Sequence, residues 1–145
     1  MNYLFLASLL VLSACAVGKK RSIRKIDYDL GTGAKINVSY IRQLKDKLEF
    51  NLLGLSIGET VVAIRKDEID CGLGKESFEE VKVKNGKKDF IILPKISYAP
   101  FTVICKNDGP VDKKLVPYLI FKKIYSTKGD ELGPVISENH RIEIK

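Results

Sequence analysis

The chain has 145 residues, 45% of them hydrophobic and 30% charged, with a net charge of +7 at neutral pH. That is one domain's worth of sequence with enough apolar material for a core, which excludes a chain dominated by disorder. A single histidine and three cysteines leave little from which to build a metal centre or a catalytic triad.

In chain order, residues 4–12 read LFLASLLVL, an apolar run long enough for the core of a secretory signal and too short to span a bilayer. Small residues then lead into a cysteine, and Leu12-Ser13-Ala14-Cys15 resembles the lipobox of bacterial lipoproteins. The resemblance implies that residues 1–14 are a signal peptide, that the Cys15 thiol is acylated, and that the new amino terminus is held in a membrane by its lipid. By the sorting rule of that family, Ala16 implies the outer membrane, with the protein facing periplasm or cell surface. The segment before the apolar run, Met1-Asn2-Tyr3, departs from the usual pattern in having no Lys or Arg. Ala14-Cys15-Ala16 also fits the small-x-small rule of an ordinary secretory signal, whose product would be a secreted soluble β-protein.

Residues 15–25 are expected to be the lipidated Cys and a basic tether, and 26–145 a single domain. Lys19, Lys20, Arg21, Arg24 and Lys25 place five positive charges and no acid in seven residues. Such a run is a solvated, self-repelling tether. Beside a lipid anchor it is also a membrane-surface contact, each charge contributing about 1 kcal/mol near an anionic leaflet. With no interleaved aromatics it is not expected to bind nucleic acid.

If Cys15 is acylated, Cys71 and Cys105 remain as a pair, and in an oxidising compartment a disulfide between them is expected. The alternative is two buried thiols. Neither cysteine has a second Cys or His two to four positions away, so no metal is expected.

After the tether the chain reads as strands. Residues 36–40, 48–52 and 80–84 alternate apolar with polar, and 60–64 is nearly continuous and β-branched. Asn85-Gly86 is the strongest hairpin signal and leads into 89–93, closed by Pro94. Residues 101–105, 118–121 and 141–145 follow. Residues 41–48 and 75–80 are the best helical candidates, and both are short. Pro100 and Pro117 suggest edge positions, since proline cannot donate to a central ladder. Tyr98, Phe101, Tyr118, Phe121 and Tyr125 are expected in the core. The pattern predicts an all-β fold, an immunoglobulin-like antiparallel β-sandwich, with a small β-barrel as the alternative.

Chemistry-bearing motifs are sparse. His140 stands alone, and catalytic residues are expected to be none. Gly72-Leu73-Gly74-Lys75 lacks the spacing of a phosphate loop. Asp67, Glu68 and Asp70 cluster without the spacing of a calcium loop, and Asn37-Val38-Ser39 fits a glycosylation acceptor in the middle of a strand. No cofactor is implied. The sequence points to a non-enzymatic envelope lipoprotein that binds or scaffolds an envelope protein partner, with a small-ligand carrier built on a barrel cavity as the alternative.

Overall fold

The structure is a computed structural model and describes residues 19–31, 33–112 and 114–145. Among the described residues, alternation along the segments produces twelve strands. In chain order they are β1 (Lys19–Arg21), β2 (Asp27–Asp29), β3 (Ala34–Gln43), β4 (Lys47–Ser56), β5 (Val62–Arg65), β6 (Ile69–Leu73), β7 (Glu76–Ser77), β8 (Glu80–Lys84), β9 (Phe90–Leu93), β10 (Ala99–Lys106), β11 (Pro117–Lys128) and β12 (Glu131–Glu143). One sheet has the order β1-β3-β4-β10-β8, with β2 also on β3. The other has the order β7-β6-β11-β5-β9, with β12 along the opposite side of β11.

Every pairing is antiparallel and the sheets stay open at their edges, so the fold is the antiparallel sandwich rather than the barrel. Strand β4 shows how the alternation works: Leu48, Phe50 and Leu52 are buried while Lys47, Glu49 and Asn51 face outward. Phe101, Val103, Leu119, Phe121, Ile64 and Ile91 complete one core between the sheets. Full burial of each such side chain contributes about 1.5–3 kcal/mol.

Two ties hold the sheets face to face. Cys71 in β6 and Cys105 in β10 form a disulfide across the core, with Cα atoms 6.5 Å apart, within the usual range for the bond. Towards the other end, Ser56 of β4 donates its hydroxyl to the Leu93 carbonyl at 2.6 Å and accepts the Val62 N–H at 3.0 Å. The buried serine thereby satisfies its own polar atoms while bridging the sheets.

Several expectations are corrected. Asn85-Gly86 does make a turn, with Gly86 in the left-handed region, but β8 joins one sheet and β9 the other, so no hairpin forms. Local turn chemistry sets a reversal of the chain, and the burial of both neighbouring strands decides which sheet each joins. Residues 41–48 are the end of β3, a tight turn and the start of β4, while 75–80 hold the short β7; neither is a helix. Pro100 and Pro117 sit in interior strands, not edges. They are tolerated because Pro100 lies beyond the reach of β8, and Pro117 is the first residue of β11. The first residues of the basic run form β1, so the sandwich begins at Lys19 rather than at residue 26. Gly72, read with Gly74 and Lys75 as part of a loop motif, lies beside Cys71 within β6, and glycine stands there because a Cβ would meet the Tyr118 ring at 2.0 Å. Of the aromatics, Phe101, Tyr118 and Phe121 are buried, Tyr125 is half-buried and Tyr98 is exposed.

Replacing both Cys71 and Cys105 by alanine releases a constraint over a separation of 34 residues. The loss is expected to be about 3–4 kcal/mol. Thermal unfolding of the double variant should shift down by at least several degrees, and an unchanged midpoint would show that the bridge contributes no stability.

Candidate functional site

Lys19 pairs opposite Gln43, so the chain enters the sandwich at the end formed by the β3–β4 turn, the β6–β7 turn and the β10–β11 connection. Backbone hydrogen bonds stitch these loops together. Asn107 and Val111 donate N–H groups to the Asp46 and Lys45 carbonyls, both at 2.8 Å, and Gly74 donates to the Val116 carbonyl at 3.2 Å. On the other side of the same segment, the Arg21 guanidinium donates through Nη2 to the Leu115 carbonyl at 3.1 Å. Residues 115 and 116 are therefore pinned by their carbonyls, and their side chains stand out from the surface, 42% and 41% exposed.

The five cations of the entering run do not share one environment. Lys19 and Lys20 are exposed at this end, and the Lys20 ammonium lies 4.4 Å above the Tyr40 ring, a favourable cation–π distance. Arg21 is turned inward; burial pushes its guanidinium below its ordinary pKa, and the nearby Asp112 carboxylate opposes that. The Arg24 N–H donates to the Lys145 carbonyl at 2.8 Å, which places the run beside the C-terminal strand, while the Arg24 and Lys25 side chains are exposed. Cys15, the expected lipidation site, lies outside the described residues.

A shallow depression of about 120 Å³ at the entry end is lined by Arg21, Ile23, Leu115, Val116 and Ile144. Another, of about 280 Å³, lies on the outer face of the first sheet among Tyr40, Asn51, Lys84 and Thr102. There the Thr102 hydroxyl donates to Asn51 Oδ1 at 3.1 Å. Leu115, Val116 and Tyr40 went unnoticed in sequence. The available signal was an apolar pair immediately before a proline, which holds the chain extended at a strand start.

The remaining sequence candidates resolve into structure. Asp67 receives both Nε and Nη2 of Arg65 at 3.0 and 2.9 Å, Asp70 pairs with Lys122 at 3.0 Å, and Glu68 accepts the Tyr125 hydroxyl at 2.5 Å. Arg65 also lies 3.6 Å from Glu68, so the acids are held by Arg65, Tyr125 and Lys122, and among the described residues no cluster of metal-ligating side chains forms. Gly72 and Gly74 serve the strand and its turn, Gly74 in the left-handed region. Asn37 lies within β3 and donates to Asp27 at 2.9 Å. His140 sits on β12 opposite Phe121, its Nε2 in a hydrogen bond with the Ser137 hydroxyl.

No protein-family model matches the chain, and no curated protein matches it. Among solved structures, the GAE domain of GGA2p from Saccharomyces cerevisiae is similar with a TM-score of 0.46 and 11% identity, over 83% of this chain and 96% of that one. It is a distant likeness from which no role follows.

The Tyr125 hydroxyl carries a test of the acidic cluster. Burial first, and then its bond to Glu68, push its pKa from an ordinary value near 10 up to about 12. A raised phenol contributes stability that is present below pH 10 and lost as pH rises through its folded value. Phenolate absorbance should show one tyrosine titrating near 12, and Glu68→Gln should bring that midpoint down toward 10; titration near 10 in the unaltered protein would refute the arrangement.

Proposed function

We propose that the protein is an envelope lipoprotein, held in the outer membrane by acylated Cys15, whose β-sandwich binds or scaffolds another envelope component without enzymatic activity. The observation that carries the reading is the pairing of cysteines. Cys71 and Cys105 are joined inside the fold, which leaves Cys15 as the odd thiol at the end of an apolar run resembling a lipobox. A buried disulfide is compatible with an oxidising compartment. Exposed Lys19 and Lys20, close behind Cys15, suit an anionic surface.

Binding through the surface is favoured over ligand carriage because the inner faces of the sheets are packed against each other by large side chains such as Phe50 and Phe121. The open sheet edges present backbone donors and acceptors to which a strand of an envelope partner can add.

Cys15→Ser is expected to abolish metabolic labelling with fatty acid and to release the mature domain from the membrane fraction. Labelling that persists in the variant would remove Cys15 as the acylated residue. Cross-linking in intact envelopes should recover a protein partner with the anchored form and lose it with the variant.

A further inference from the structure

Resting on that reading, we infer that the sandwich stands end-on against the lipid surface, with the Leu115–Val116 pair in contact with the bilayer. The argument begins with covalent reach. Four Cα-to-Cα steps separate Cys15 from Lys19, and Lys19 is already paired to β3. Four residues span at most about 14 Å when fully extended, so an acylated Cys15 keeps the entry end of the sandwich within that distance of the bilayer.

At that end the side chains suit a lipid interface. Leu115 and Val116 are exposed on a backbone whose two carbonyls are bonded to Arg21 and Gly74, so the pair projects without the cost of ordering a loose loop. Arg21 belongs to β1, the strand that continues directly from the anchor, so the emerging chain and the apolar pair are latched to each other. Exposed Lys19, Lys20, Lys45, Lys75 and Lys114 lie on the same end and can meet lipid phosphates, with Glu76, Glu79, Asp108 and Asp112 among them. A second apolar tip at the opposite end, Ile96 at 99% exposure between β9 and β10, is held away by the length of the strands.

The chain contains no tryptophan, so a single introduced one reports its own surroundings. Protein produced from the whole 145-residue chain in a host that processes lipoproteins, carrying Leu115→Trp, Val116→Trp or Ile96→Trp, is reconstituted into anionic phospholipid vesicles containing nitroxide-labelled lipid, and flotation is measured alongside emission. The inference expects flotation of all three, a blue shift and quenching at 115 and 116, and solvent-like, unquenched emission at 96. Two positions at the entry end guard against one variant failing to fold. Flotation with solvent-like emission at both entry positions, or with quenching at 96, overturns the end-on arrangement while leaving the lipid anchor in place. Failure to float, with no added acyl mass on Cys15, overturns the arrangement and the anchoring reading together.

Discussion

The Cys71–Cys105 bridge is the constraint on which the other features depend, because it joins the two sheets through the core and at the same time removes two of the three thiols. Each half of the chain contributes one cysteine from an interior strand, so closing the bond requires β6 and β10 to have found their sheets. The bridge in turn narrows the unfolded ensemble across the middle of the sequence. Ser56 supplies the complementary tie with a hydroxyl that donates to one strand and accepts from another of the opposing sheet. A covalent link towards one end and a satisfied polar link towards the other hold the inner faces parallel enough for close packing.

Packing on the inside leaves charge and exposed backbone on the outside. On the outer face of the first sheet, Lys20, Arg42 and Glu49 lie opposite one another on the neighbouring strands β1, β3 and β4, with Arg42 and Glu49 3.9 Å apart. Such exposed pairs contribute little to stability, and their value is solubility and a charged surface. The structural energy therefore resides between the sheets, while the ends and edges remain available for contact.

The entry of the chain gives the sandwich a polarity it would otherwise lack. Because β1 starts within a few residues of Cys15, a lipid on that cysteine, as proposed, would hold one end of the domain near the membrane and present the opposite end, with Ile57, Ile96 and Tyr98 exposed, away from it. An anchor on a long linker would let the whole domain move far from the lipid, whereas one four residues away would keep the entry end within about 14 Å of it.

The amino-acid sequence by itself determined the all-β class, because period-two alternation at 36–40, 48–52 and 80–84 admits only one geometry that buries a single face. It also left Cys71 and Cys105 as the one pair if Cys15 is set apart, but that they bond rather than stay as two buried thiols was decided by the fold, which brings β6 against β10. Strands with conflicting local signals were not legible. Residues 69–73 carry Asp70 and Gly72, and 131–140 carry Gly133, Pro134 and Asn139, residue types that disfavour strands, yet they form β6 and most of β12. Neighbouring strands overrode those preferences: Tyr118 fills the space that a Cβ at Gly72 would need, and β11 supplies a full-length partner whose bulges absorb the irregular residues. Tertiary structure alone decided that Asn85-Gly86 passes between sheets, that the basic run begins a strand, and that Leu115 and Val116 face outward. Each depends on which surface lies opposite, a relation between residues far apart in the chain that no local pattern encodes.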